Sequence, residues 1–228
     1  TIINGNSEFS GAALNLLASL KIDITNIRIQ NCSSKVSGNI IIESQLKKNY
    51  YISNLMCIDN NAFYGSCLFS NSIANLVLIN LRLERNSKNQ IQILSNMQSS
   101  INITGLFISD NSADPNNYGY TVLNLRSSNL IIKGITLKLF FFKKTFIQIS
   151  ESSIKSDNFN ISTINEGLTS LTNIIESDNS DISFVNLHIN SNWSNQSLFI
   201  LKTVINFEIM NSTVIMKNDS VDSLVLSD

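Results

Sequence analysis

The sequence predicts an all-β fold, a right-handed parallel β-helix with three sides, and two observations lead to this prediction. Apolar and polar residues alternate at a period of two over many short segments, which is the pattern of strands with one buried face. These segments recur about every 26 residues with an Asn or Gly at a fixed place. The chain therefore repeats one structural unit, or coil, about eight times.

The amino-acid usage agrees with a β-rich protein. Ile, Asn and Ser number 34, 34 and 35 of the 228 residues, against a single Pro. The abundance of Ile favours strands, because β-branched side chains pack well on a pleated surface. Charged residues make up 14% of the chain and the net charge is −1. This balance excludes the basic footprint of a nucleic-acid-binding protein and a polybasic membrane patch.

Each repeat reads as a strand, a sharp corner and a second strand. In residues 22–29, Ile22 and Ile24 face inward, and Asn26 then breaks the alternation before Ile27. Asn and Gly adopt positive φ at low cost, so they suit a tight bend between two strands that share one core. A weaker copy of the unit lies around Thr163. The predicted corner residues are Asn26, Asn54, Asn80, Gly105, Gly134, Asn186 and Asn211.

A third short strand precedes each of these units, which gives three strands per coil. We predict that residues 1–228 form a single β-helix segment. The sequence opens at Thr1 without an initiator Met or a signal peptide, so we expect it to be part of a longer chain. The third strands are predicted at 13–17, 40–42, 67–69, 91–94, 122–125, 146–149, 172–175, 198–201 and 224–226.

The leucine-rich repeat is the alternative fold. Its signature matches at Leu78–Asn86 and, with Ile or Phe in place of Leu, at Ile103–Asn111 and Phe184–Asn192. The rest of a leucine-rich repeat should carry the apolar spacing of a helical return, whereas here it alternates as a strand. The β-helix is therefore favoured.

The repeat also resembles a known family. Gly11-Ala12-Ala13-Leu14, followed by strand pairs with Asn at the corner, is similar to the parallel β-helix repeats of pectin-lyase-like proteins. The similarity is greatest to the polymorphic-membrane-protein type and to large surface proteins of protists. It covers essentially the whole chain, and it implies the fold strongly and an activity only weakly.

Several Asn residues follow the second strand of a repeat. Stacked coils would place them about 4.8 Å apart, so we expect their amides to form an internal hydrogen-bonded ladder. Its predicted members are Asn60, Asn86, Asn111, Asn192 and Asn218.

The cysteines do not suggest a metal site. The chain has three cysteines and one histidine without a CxxC pair, so a zinc site is not expected. Cys57 falls on an inward position and is interpreted as a buried thiol, with a Cys57–Cys67 disulfide as the alternative. Cys32 is the third cysteine.

Seven Asn-x-Ser/Thr sequons are candidate N-glycosylation sites, and we expect at least two to carry glycan if the protein is secreted by a eukaryote. Asn102 and Asn160 are expected to project outward at equivalent places on different coils. Asn31, Asn192 and Asn218 are each interpreted as either a glycan site or a ladder member. The seven sites are Asn31, Asn102, Asn160, Asn192, Asn195, Asn211 and Asn218.

Two segments are candidate contact surfaces. Residues 110–120 hold the only Pro together with Tyr118 and Tyr120, and are expected to form a protruding loop. The run 139–142 breaks the alternation, so at least one of Phe140, Phe141 and Phe142 should face outward, toward a neighbouring subunit or beneath a loop.

The sequence holds no recognisable catalytic constellation. The four aspartates that each precede an Asn are interpreted as turn residues, and His188 is expected to face outward from a strand. The four arginines are dispersed, with Arg28 and Arg82 at matching outward positions. We therefore predict a protein that is not an enzyme and needs no cofactor or metal. The aspartates are Asp59, Asp110, Asp157 and Asp178.

These features favour a glycosylated structural or assembly module, such as a surface filament, coat or adhesin scaffold, that is secreted or displayed on the cell surface. Its expected partners are N-linked glycans and further coils or copies joined end to end through the open ends of the β-helix. No membrane span is expected in this segment. The alternative is a β-helix of the polysaccharide lyase or hydrolase type whose active site is degenerate or lies outside this segment.

Overall fold

The computed structural model of the chain is a parallel β-solenoid, which confirms the predicted parallel β-helix. The structure describes residues 1–17, 21–43, 48–62, 65–70, 74–86, 91–110, 123–139, 147–163, 175–191, 199–203, 205–216 and 225–227. These ranges contain strands and turns but no helix, so the leucine-rich repeat is wrong for the described part of the chain.

Nineteen strands are described. In chain order they are β1 (Ile2–Ile3), β2 (Asn6–Ser7), β3 (Leu14–Leu17), β4 (Lys21–Gln30), β5 (Ser33–Ser34), β6 (Ile40–Glu43), β7 (Lys48–Ile58), β8 (Leu68–Ser70), β9 (Ala74–Glu84), β10 (Ile91–Asp110), β11 (Leu123–Leu139), β12 (Ile147–Ser150), β13 (Ser153–Thr163), β14 (Ile175–Asp178), β15 (Asp181–Ser191), β16 (Phe199–Lys202), β17 (Asn206–Met210), β18 (Thr213–Met216) and β19 (Val225–Ser227).

Each coil contributes three strand positions, which we call a, b and c in chain order. Every position pairs in parallel with the same position of the next coil: β3 with β6 at position a, and β4 with β7 at positions b and c. The predicted strand at 172–175 differs, because β14 begins at Ile175, which pairs with Ile147 and Phe199. The stack therefore consists of hydrogen-bonded neighbours along its whole described length.

The corner between b and c is a single residue with positive φ in every coil. All seven predicted corner residues have φ between 49° and 70°. The copy predicted around Thr163 has its corner elsewhere, at Asn158 (φ 57°). The residues that flank Asn158 pair with those that flank Gly134, which is the corner of the preceding coil. Ser156 points into the core just before this corner, and this polar inward residue hides the alternation in the sequence.

Inward side chains from all three positions form one core. Its largest fully buried members include Tyr50 and three phenylalanines. Phe159, Phe184, Phe199 and Phe207 stack along the C-terminal coils, with successive ring centroids 5.5, 5.9 and 5.5 Å apart. Because each ring touches the next, the core is continuous from coil to coil.

Of the predicted internal asparagines, Asn60 and Asn86 are described and both are buried, but their hydrogen bonds differ from the prediction. Asn60 Oδ1 accepts a bond from the Cys32 backbone N–H (2.9 Å), and Asn60 Nδ2 donates to the Ile29 carbonyl (3.1 Å). Asn86 makes the same two bonds, to the Asn60 N–H and the Cys57 carbonyl. Each amide therefore satisfies backbone groups of the preceding coil instead of bonding to another side-chain amide. Asn111, Asn192 and Asn218 lie outside the described residues.

The amide-to-amide ladder lies at the b–c corner. Asn54 Nδ2 donates to Asn26 Oδ1 (2.8 Å), and Asn80 Nδ2 donates to Asn54 Oδ1 (3.0 Å). These side chains are exposed, so the outer ladder lies on the surface of the solenoid.

A second internal ladder, made of serines, lies at the corner between a and b in the C-terminal half. The Ser128 N–H donates to Ser152 Oγ (3.1 Å), and the Ser152 N–H donates to Ser180 Oγ (3.2 Å). Each hydroxyl donates in turn to the carbonyl two residues before it. The residues just before these serines, Ser127, Glu151 and Asn179, all have positive φ.

Cys57 and Cys67 form a disulfide, with their Cα atoms 5.8 Å apart. The interpretation of Cys57 as a buried thiol is therefore wrong, and the alternative holds. Cys57 is the next-to-last residue of β7 at position c, and Cys67 directly precedes β8 at position a, so the bond closes the loop between the two strands. Cys32 is a free, buried thiol beneath Asn60 in the internal column.

We expect the inner and outer ladders to differ in their contribution to stability. Asn60→Ala removes two buried hydrogen bonds and leaves the Cys32 N–H and the Ile29 carbonyl unpaired, which should lower the free energy of unfolding by about 2–4 kcal/mol. Asn54→Gly should change it by less than about 1 kcal/mol, because glycine retains the positive φ and the two lost bonds are exposed to water. Urea unfolding followed by circular dichroism measures both, and equal losses would contradict the distinction.

Candidate functional site

Two grooves on the outer surface are lined by residues that the structure describes. The first, which we call the corner groove, has a volume of about 420 Å³ and lies where the outer amide ladder stops. Gly105 and Gly134 occupy the corner in two successive coils, and a Cβ on Gly105 would lie 2.9 Å from Asn80 Oδ1. The groove is open because Gly105 and Gly134 have no side-chain amide that could continue the ladder from Asn80 into their two coils.

The wall of the corner groove comes from outward residues of position c. Arg28, Met56, Arg82 and Phe107 stand in one column, so the predicted match between Arg28 and Arg82 agrees with the register. The Arg82 guanidinium lies over the Phe107 ring, 5.2 Å from its centroid, and also forms an ion pair with Glu84. This geometry holds the Arg82 guanidinium against the Phe107 ring on the wall of the corner groove.

The second groove, the strand-a groove, lies on the outer face of position a in the C-terminal half and has a volume of about 400 Å³. Glu176 and Asp178 are two residues apart on β14, so their carboxylates project from the same face. Arg126, Ser150, Asp178 and Lys202 stand in one column. Lys202 Nζ lies 3.5 Å from Glu176 Oε1.

Sequence reasoning missed the strand-a groove. Asp178 was interpreted as a turn residue, but it is the last residue of β14 and Asn179 takes the positive φ. Arg126 was interpreted as dispersed, yet the register brings it into the column of Asp178. A signal was present: the members of this column are separated by about one repeat length.

Two carboxylates beside two cations are the groups that bind and process acidic sugars, since the cations offset uronate charge and the carboxylates transfer protons. Lys202 is exposed and Glu176 is half-buried, so the Lys202–Glu176 ion pair of this groove is weak in water. The strand-a groove therefore has the composition of a saccharide site but an open, solvated geometry.

The remaining predicted residues lie at separate places. Asp59 does take positive φ (53°) and is held by Arg85 through two bonds of 2.6 and 2.8 Å, whereas Asp157 accepts a bond from the corner residue Asn186. His188 is exposed on position c, beside Asn160 and Thr213. Among the described residues, no three His, Cys, Asp or Glu side chains lie close enough together to hold a metal ion.

The sequons occupy different environments. The predicted equivalence of Asn102 and Asn160 is wrong, because Asn102 stands at position b before its corner and Asn160 at position c after its corner. Asn160 is exposed and Asn102 is half-buried. Asn31 and Asn211 are exposed with positive φ, and Cys32 rather than Asn31 stands in the internal column. Asn31 therefore has the accessibility that a glycan site needs.

Several predicted contact residues lie outside the described part of the chain. These are Tyr118, Tyr120, Phe140, Phe141 and Phe142, together with Asp110 of the protruding loop, of which only the backbone is described, and the sequons Asn192, Asn195 and Asn218.

Comparisons with known proteins add no family. No protein-family model, curated protein or solved structure matches this chain. No helix in the described ranges is long and apolar enough to span a membrane. The pectin-lyase-like resemblance therefore stays an interpretation of the repeat pattern, whereas the parallel β-solenoid itself is shown.

We expect glycosylation to follow the exposure of the described sequons. When the chain is secreted from a eukaryotic host, Asn31, Asn160 and Asn211 should include at least two occupied sites, since their side chains point to solvent. Glycopeptide mass spectrometry measures the occupancy. Ser162→Ala and Thr213→Ala, which destroy two sequons but keep their asparagines, should each remove one glycan. A fully unmodified secreted chain would contradict the prediction.

Proposed function

We propose that the chain is a non-enzymatic, N-glycosylated structural module of a secreted or cell-surface protein, serving as a scaffold in a filament, coat or adhesin. The observation that carries this proposal is the uninterrupted stacking of the coils, in which each strand position pairs with the same position of the next coil. Such a stack gives rigid length and long, flat outer faces.

The dimensions suit a spacer. Coils joined by backbone hydrogen bonds rise by about 4.8 Å each, so the eight corners correspond to a rod of roughly 40 Å. Each coil touches only its neighbours, and length can grow by adding coils without a change in the core. The same backbone pairing can continue in a longer chain or join the rod to another copy.

The disulfide supports the proposed extracellular location. Structural disulfides persist in oxidising compartments and are uncommon in the reducing cytosol. The Cys57–Cys67 bond joins two fully buried residues inside the solenoid. Exposed sequons at Asn31, Asn160 and Asn211 suit the same secretory route.

Sedimentation and electron microscopy of the purified chain test the assembly role. We expect elongated particles whose length increases with protein concentration, because rods that meet end to end extend the parallel pairing. Particles that remain single and compact at every concentration would count against assembly.

The strand-a groove favours a second candidate function, binding or cleavage of an acidic polysaccharide. Incubation with polyuronates, followed by detection of new reducing ends or unsaturated products, tests it. Turnover abolished by Glu176→Gln or Asp178→Asn but retained by Glu43→Gln would overturn the scaffold proposal. Glu43 is the matched control because it is exposed at position a several coils away. We expect no turnover from the wild-type chain.

A further inference from the structure

The outer face of position b, which we call the b face, is a flat array of side chains from successive coils. Its central column consists of the residues three before each corner, which pair in register from one coil to the next. In order, this column contains Asp23, Tyr51, Val77, Asn102, Ile131, Lys155, Ser183 and Glu208.

The composition of this column is unusual for a solvated surface. Tyr51 and Ile131 are large apolar side chains that are 37% and 40% exposed. Val77 and Asn102 between them are half-buried, and Asp23 and Lys155 on either side of this stretch are exposed. The stretch from Tyr51 to Ile131, in which Asn102 is the one polar member, is thus flanked by a negative charge on one side and a positive charge on the other.

The first six members of this column are self-complementary about their midpoint, which lies between Val77 and Asn102. We propose that the b face is an interface between two copies of this chain, packed face to face with their rod axes antiparallel. A two-fold axis through the midpoint places Asp23 opposite Lys155 of the second copy and Tyr51 opposite Ile131. Val77 then lies opposite Asn102.

The two flanking columns accept the same arrangement. In the column five residues before the corners, the axis places Lys21 opposite Ser153. In the column directly before the corners, it places Thr25 opposite Asp157 and Ser53 opposite Lys133. No two like charges lie directly opposite each other in either column. A two-fold axis shifted by half a coil toward the C-terminus loses the Asp23–Lys155 pair. A shift by a whole coil would bring Asp23 against Glu208, the residue that follows Ser183 in the central column. Charge therefore selects the register.

The size of the contact predicts a weak complex. Three columns over six coils cover about 500 Å² per copy from standard strand spacings, which is roughly 1,000 Å² in total. Interfaces of this size are typical of transient complexes. A longer rod with more coils would bury a larger area. The inference deepens the proposed assembly role by adding a lateral contact to the end-to-end one, and it rests on that role.

Asn102 gives the b face a control point. Its sequon stands beside the midpoint, opposite Val77 of the second copy, where two sheets that pack face to face are only about 10 Å apart. A glycan on Asn102 would not fit in that space. The glycosylated chain should therefore stay separate at this face, and the unglycosylated chain should pair.

Charge exchange tests the proposal. The chain is produced without N-glycosylation and its association is measured by sedimentation equilibrium up to about 1 mM, a range suited to weak interfaces. Asp23→Lys and Lys155→Asp should each weaken dimerisation by about tenfold or more, since each places like charges opposite each other twice. The double variant Asp23→Lys/Lys155→Asp should restore it. Glu43→Lys, an exposed charge reversal at position a, should leave it unchanged.

A second arm uses the chain secreted from a eukaryotic host. Molecules glycosylated at Asn102 should not dimerise, whereas Asn102→Gln from the same host should pair as the unglycosylated chain does. An unglycosylated chain that stays monomeric, or a double variant that does not recover, would overturn the lateral interface. Polymers that persist unchanged in both single variants would support end-to-end assembly and overturn the b face alone.

Discussion

The stacking of identical corners is the constraint on which this structure depends. Strands of successive coils pair in parallel only if the chain turns at the same place in every coil, and the b–c corner turns within one residue of positive φ. Asn and Gly reach that conformation at low cost, and they occupy all eight corners. The corner thus fixes which residues face the core and which face solvent on both adjoining strands.

Buried backbone at the other corners needs a second device, because a turn inside a stack leaves N–H and carbonyl groups without strand partners. The N-terminal coils use Asn60 and Asn86, whose amides bond to the backbone of the preceding coil. The C-terminal coils use the hydroxyls of Ser128, Ser152 and Ser180 at the a–b corner. In the described residues the asparagines act at the c–a corner and the serines at the a–b corner, and the Cys57–Cys67 disulfide closes the c–a loop next to Asn60.

Outward side chains take no part in strand pairing or in the buried backbone contacts at the corners, so functional sites can vary on the outer surface without changing the fold. The corner groove exists because two glycines interrupt a side-chain ladder without disturbing the backbone. The strand-a groove and the b face arise from columns whose members lie about 26 residues apart in the chain. Beneath these faces the strand layout and its corners repeat from coil to coil.

The sequence by itself determined the strands, their inward faces and seven of the eight corners, because each depends on local alternation or on the φ preference of one residue. It did not determine which residues of different coils meet. Loops of varying length separate the strands, so the register that distinguishes Asn102 from Asn160, and that brings Arg126 to Asp178, follows only from backbone pairing. The same holds for the corner at Asn158, where an inward Ser156 masks the pattern, and for the Cys57–Cys67 disulfide, which needs two strand ends to lie side by side.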